Sequence, residues 1–130
     1  MAFTILIVDD SSAMRSFVKR VLQLSGFQIG CCFEAANGRE ALDIVAAQWI
    51  DLVLTDINMP VMNGEEFVQK LRAHECFSNI PVMVISSDGT EDRVRQMLAL
   101  GAKGYVKKPF RPEELRDTLE TALGVAYAAN

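Results

Sequence analysis

Four apolar runs in this 130-residue sequence each end in a side chain that can do chemistry. Phe3 to Val8 runs into Asp9-Asp10, Leu52 to Thr55 into Asp56, Pro81 to Ile85 into Ser86-Ser87, and Tyr105-Val106 into Lys107-Lys108. Taken singly, each has an ordinary explanation: a carboxylate caps a turn, a serine caps a strand end, a lysine is solvated. Brought together, the carboxylates of Asp9, Asp10 and Asp56 outnumber the Lys108 ammonium. Like charges that close raise one another's pKa and oppose folding unless a cation sits among them. A hard divalent ion answers that need, and Mg²⁺ favours a couple of carboxylates, a carbonyl and retained waters. A metal beside a lysine suits an anion, and a phosphoryl group is the anion expected. Its transfer needs an in-line nucleophile and positive charge around the equatorial oxygens, with little other covalent chemistry. Asp56 is the candidate nucleophile, forming an acyl phosphate. Lys108 and Mg²⁺ would neutralise charge, and the Ser86 hydroxyl would donate to a phosphoryl oxygen.

These residues meet only if the runs are neighbouring strands. Phe3 to Val8 is almost unbroken in apolar character, as suits a strand buried on both faces. Ser11 or Ser12 then caps a helix carrying Met14, Phe17, Val18, Val21, Leu22 and Leu24, which stops at Gly26. Phe27 to Ala35 is a second strand, weakened by Gly30. Asn37-Gly38 reads as a turn before a helix lined by Ala41, Leu42, Val45 and Ala46. The central strand ends at Asp56, and Asn58, Pro60, Asn63 and Gly64 break regular structure after it. A third helix turns Phe67, Val68 and Leu71 inward, and Pro81 to Ile85 is the fourth strand. Asp88 and Gly89 mark a loop, and Thr90 caps a fourth helix with Val94, Met97 and Leu98, ended by Gly101. After the short fifth strand at Tyr105-Val106, Pro112 opens a last helix, with Glu113 and Glu114 near its positive end. Leu115, Leu119 and Leu123 form its inward face. Strands alternating with helices predict a flavodoxin-like (βα)5 fold, a doubly wound parallel sheet of order 2-1-3-4-5. In that order strands one, three, four and five adjoin, and ligands bind beyond their carboxyl ends.

Half of the residues are hydrophobic and 23% are charged, which excludes a disordered chain and fits one domain over residues 1–130. A net charge of −4 gives no basic footprint for nucleic acid. No apolar run reaches membrane-spanning length, and Met1-Ala2-Phe3-Thr4 lacks a basic signal-peptide start, so a cytoplasmic protein is expected. Cys31, Cys32 and Cys76 show no paired metal spacing and read as structural, with one of the adjacent pair turned to the core. His74, the only histidine, reads as a surface residue.

The set Val8-Asp9-Asp10-Ser11, Asp56-Ile57-Asn58-Met59-Pro60 with Gly64, Ser86-Ser87 and Lys108-Pro109-Phe110 resembles the receiver domain of two-component response regulators. It is most similar to the single-domain chemotaxis-type regulators, notably at Asp9-Asp10-Ser11-Ser12-Ala13-Met14-Arg15. The resemblance implies that Asp56 accepts a phosphoryl group from the phosphohistidine of a histidine kinase. It implies Mg²⁺ on Asp10, Asp56 and the Asn58 backbone carbonyl, with Asp9 acting partly through water. Lys108 would contact the acyl phosphate, and Ser87 and Asn58 would adjoin the phosphoryl group. Ser86 would be the switch hydroxyl, and Tyr105 the aromatic that turns inward when Ser86 moves. The face made by the fourth helix, fifth strand and fifth helix would then change to control binding of a downstream effector protein, by a monomer. On this reading the protein is a signalling module of two-component phosphorelay type and not an enzyme beyond its own phosphorylation and dephosphorylation.

Departures from the family pattern qualify this. Ser86 stands where threonine is commoner, which loses a methyl and some rotamer restriction. Arg111 stands where a Ser or Thr often caps the last helix, which predicts a weaker cap. Regulators that dimerise through the output face often carry an Asp pair where this chain has Lys103-Gly104, and the chain ends at Asn130 without a basic effector. A standalone regulator is therefore favoured over a receiver excised from a larger regulator or hybrid kinase. Glu91, Thr118 and Thr121 stand where flagellar members tend to be basic, so a motor partner is not implied. A Mg²⁺-dependent aspartyl-phosphate phosphatase of the haloacid-dehalogenase type needs Asp-x-Asp after the first strand, and Asp9-Asp10-Ser11 lacks it.

Overall fold

Successive side chains of a strand face opposite sides of its sheet, so an unbroken apolar strand needs cover on both. That requirement shapes the molecule, whose computed structural model describes residues 2–87 and 90–123, the last by its backbone alone. The elements are β1 (Phe3–Val8), α1 (Ser12–Leu24), β2 (Ile29–Ala35), α2 (Gly38–Ala47) and β3 (Leu52–Thr55), then α3 (Gly64–Ala73), β4 (Val82–Ser86), α4 (Glu91–Ala99), β5 (Gly104–Lys107) and α5 (Pro112–Leu123). All paired strands are parallel and the order is β2-β1-β3-β4-β5, as expected. Ile5, Ile7, Leu52, Leu54, Met83 and Ile85 face one core, closed by Val18, Val21 and Leu22 of α1 and by Leu115, Leu119 and Ala122 of α5. Leu6, Val8, Val53, Val82 and Val84 face the other, under Ala41, Val45, Phe67, Val68, Leu71 and Met97 of α2, α3 and α4.

Several boundaries differ from the sequence expectation. Asn37-Gly38 is not a free turn: the Asn37 side chain accepts the Glu40 amide at 3.0 Å, and α2 starts at Gly38. β2 starts at Ile29, and Phe27 is buried ahead of it. Pro81 lies outside β4 while Ser86 is its last residue. The helical stripes are narrower than the apolar pattern: Phe17, Leu24 and Leu98 are 44%, 69% and 47% exposed, and Ala46 is exposed. The sheet covers only one side of each helix, so apolar residues at the stripe's margin stay in solvent. Phe17 still lays its ring against the buried Phe110, centroids 5.6 Å apart. Thr90 is the N-cap of α4 but makes no side-chain cap hydrogen bond. At α5 the Arg111 amide donates to the Glu114 carboxylate at 3.3 Å, which supplies part of the missing cap. Cys31 is exposed and Cys32 packs against the first core, while His74 is exposed at the C-cap of α3. Asp88, Gly89 and the Leu123 side chain lie outside the described residues. No described helix is long and apolar enough to cross a membrane.

Candidate functional site

Strand register assembles the site. Val8 pairs with Thr55 and Ser86 with Lys107, so the residues that follow leave the sheet side by side. The Asp56 amide donates to the Val8 carbonyl at 2.9 Å, and the Lys108 amide to the Ser86 carbonyl at 3.0 Å. Carboxylate oxygens of Asp9, Asp10 and Asp56 lie within 4.8 Å of one another. Asp9 and Asp56 are buried, at 4% and 9% exposure, and Asp10 is exposed.

Each buried carboxylate is held at both oxygens. Asp9 Oδ1 accepts the Ser11 amide at 2.9 Å and Asp56 Oδ1 the Ile57 amide at 2.7 Å. Lys108 Nζ donates to Asp9 Oδ2 at 2.8 Å and to Asp56 Oδ2 at 3.1 Å. Lys108 thus bridges two carboxylates, with the shorter contact to Asp9 rather than to Asp56. Burial opposes the Lys108 charge, but the bond to Asp9 and the attraction and bond of Asp56 outweigh it and raise its pKa above the ordinary lysine value. Arg15, on the first turns of α1, donates from Nη1 to the Asp9 carbonyl at 2.6 Å and from Nε to Glu34 at 3.0 Å. It sits within the Asp9-to-Arg15 segment, though nothing in the sequence alone assigned it this contact.

The loop after β3 is held close to its strand. The Gly64 amide donates to the Ile57 carbonyl at 2.8 Å, and a Cβ on Gly64 would run into the Asp56 backbone carbonyl. Space, not backbone conformation, therefore requires glycine there. Val61 has φ of 67°, a strained conformation for a β-branched residue, where the Met62 amide turns back to the Pro60 carbonyl at 2.7 Å. The Asn58 side chain is exposed and its Oδ1 accepts from Arg93 Nη2 of α4 at 3.2 Å, a contact that residue types and spacing do not signal.

Ser86 is 1% exposed at the end of β4, and Ser87 beyond it is exposed. Tyr105 is half-buried, and its hydroxyl donates to the Ser86 carbonyl at 3.0 Å. The two residues expected to form the switch are therefore linked through the backbone. The structure brings Asp9, Asp10, Asp56 and Lys108 into one cluster, with Asn58 on the loop just past Asp56, and joins Tyr105 to Ser86.

Comparison with known proteins agrees with this geometry. Residues 5–120 match the family described as the response regulator receiver domain. The chain is 40% identical to the chemotaxis protein CheY1 of Helicobacter pylori over 121 residues, covering 92% of this chain and 96% of that one. The structure of the chemotaxis response regulator CheY4 of Vibrio cholerae matches with a TM-score of 0.83 at 35% identity, covering 95% of this chain and all of that one. A CheX–CheY–BeF3–Mg complex from Borrelia burgdorferi contains a chain matching with a TM-score of 0.81 at 31% identity, covering 91% of this chain and 87% of that one. With its sheet order, its cluster of acidic strand ends and these relatives, the chain belongs to the response regulator receiver domain family.

Proposed function

We propose that residues 1–130 act as one receiver domain, a phosphorylation-controlled binding module in which Asp56 is the phosphoacceptor. The observation that best supports this is Lys108 bridging Asp9 and Asp56 at 2.8 and 3.1 Å, with Asp10 alongside. An Asp56 carboxylate oxygen attacks the phosphorus of a histidine kinase's phosphohistidine. The new P–O bond forms as the P–N bond breaks, and the electron pair leaves with the imidazole. Lys108 shifts its ammonium to the incoming phosphoryl oxygens, where charge-assisted bonds are strongest. The Ser86 hydroxyl donates to another of those oxygens, and Ser87 and Asn58 border the group.

Mg²⁺ fits the donor set, which is made of hard oxygens with carboxylates clustered within 4.8 Å. Asp10, Asp56 and the Asn58 carbonyl would hold it directly and Asp9 partly through water. When bound, it supplies positive charge against the phosphoryl oxygens. Movement of Ser86 towards the phosphoryl group pulls on the carbonyl that Tyr105 holds, and Tyr105 turns inward. The face of α4, β5 and α5 then presents an altered surface to an effector protein. A monomeric, standalone, chemotaxis-type regulator in the cytoplasm is the setting we favour, acting on nothing but its own phosphorylation state. The relative seen bound to CheX supports a protein as the effector.

The test is labelling with a small phosphodonor such as acetyl phosphate. Wild type should be labelled only with Mg²⁺, and Asp10→Asn should lose at least about tenfold in rate, as removal of one charged metal ligand would allow. Equal rates in Asp10→Asn and wild type, or labelling undiminished by a chelator, would contradict the assignment.

A further inference from the structure

Asn58 stands two residues past Asp56, and α4 reaches across to it. Glu91, Asp92 and Arg93 form the first turn of that helix. Glu91 and Asp92 pair with Arg95, at 2.7 and 3.9 Å, and Arg95 remains exposed on its own helix. Arg93 does something different. It is half-buried and crosses to the loop after β3, where Nη2 meets Asn58 Oδ1 at 3.2 Å. The crossing has a cost, because Arg93 Nε is buried and finds no hydrogen-bond partner among the described residues. An unpaired buried donor destabilises the fold, and solvent alone would satisfy a guanidinium better. The Asn58 contact is the hydrogen bond that the guanidinium makes across to that loop.

We propose that Arg93 is a positioning residue for the cation site, holding Asn58 from α4 so that the Asn58 backbone carbonyl keeps the orientation the cation needs. This rests on the reading of the carboxylate cluster as a Mg²⁺ site. Elsewhere the loop is tied by the Ile57 amide to Asp56 Oδ1 and by the Gly64 amide to the Ile57 carbonyl. Arg93 adds a tie at Asn58 itself, and makes the first turn of α4 part of the metal site's support.

Loss of Arg93 has two opposite consequences, and their sign separates positioning from simple charge. Removing a cation beside clustered carboxylates would strengthen Mg²⁺ binding. Removing a support for a ligand would weaken it. The experiment is Mg²⁺ titration calorimetry on the full chain as wild type, Arg93→Ala, Arg93→Lys, Asn58→Ala and the Arg93→Ala/Asn58→Ala double variant. Thermal melts confirm that each folds. Arg93→Ala and Asn58→Ala should each weaken Mg²⁺ binding about three- to tenfold, and the double variant no further, because the two act as one unit. Arg93→Lys, which keeps the charge but not the planar fork, should fall in between, and it carries the test if Arg93→Ala does not melt cooperatively. Arg93→Ala binding Mg²⁺ as tightly as wild type or more tightly, or single effects that add in the double variant, would overturn the proposal. A wild-type chain that binds no Mg²⁺ would overturn the cation reading itself, and this inference with it.

Discussion

Lys108 is the residue on which the electrostatics of the site turns. Its side chain is 13% exposed, and it is the cation that meets both Asp9 and Asp56. Deleting it leaves two buried carboxylates facing each other, so Lys108→Ala should destabilise the fold by about 3 kcal/mol, as breaking a buried ion pair does. Added Mg²⁺ should restore part of the lost melting temperature in the variant, and a melt indifferent to both the substitution and the metal would contradict the pairing. The sign with pH follows from the raised Lys108 pKa. Its stabilisation is fully present below the ordinary lysine value and is lost as pH rises through the folded value. Wild type should therefore lose stability in that alkaline window more steeply than Lys108→Ala. At this scale the sequence named the acidic and basic members of the cluster, because strand ends and turn residues mark them. It could not show that Tyr105 holds the Ser86 carbonyl or that Arg93 reaches Asn58. Both contacts depend on how far a strand or helix is rotated about its own axis, which residue spacing does not fix.

Elements carry a second kind of constraint. The loop between β3 and α3 returns so closely that Gly64 lies against the Asp56 backbone carbonyl. Gly64→Ala should force that loop outward, destabilise the fold by about 1–3 kcal/mol through overpacking and weaken Mg²⁺ binding at the same time. Unchanged melting and unchanged Mg²⁺ affinity in Gly64→Ala would show that the loop yields freely. Gly64 reads in the sequence as a loop breaker, and only the fold shows that close approach is the reason. Arg72 of α3 secures the far end of α4, donating to the carbonyls of Leu100 at 3.0 Å and Gly101 at 3.3 Å, and to those of Ser78 and Ile80 in the loop before β4. α4 is thus anchored at its C-terminal end by Arg72 and tied at its first turn to the site by Arg93. Strand identity was legible because buried parallel strands are continuous apolar runs. Helix faces were less so: Phe17, Leu24 and Leu98 fit the apolar period but fall outside the strip that the sheet covers.

For the molecule as a whole, the question is how charge at one sheet edge alters a surface beside it. A ligand shifts a conformational equilibrium only by its differential interaction with the two states. On the proposed reading that difference would be the Ser86 bond and the Lys108 pairing to the phosphoryl group, each about 1.5–3 kcal/mol as charge-assisted contacts. Since about 1.4 kcal/mol is a factor of ten, either suffices for a substantial shift. Ser86→Ala should still accept phosphate at Asp56 but respond weakly at Tyr105 and α4. Amide NMR with and without beryllofluoride reads this, and shifts near Tyr105 and Val94 as large as in wild type would exclude the hydroxyl as the relay. Beneath these predictions lies the claim that Asp56 is the phosphoacceptor. Intact-mass analysis of wild type and Asp56→Asn after phosphodonor treatment in Mg²⁺ tests it most directly. The account predicts a single phosphate adduct on wild type and none on Asp56→Asn, whereas an undiminished adduct on that variant would place the nucleophile elsewhere.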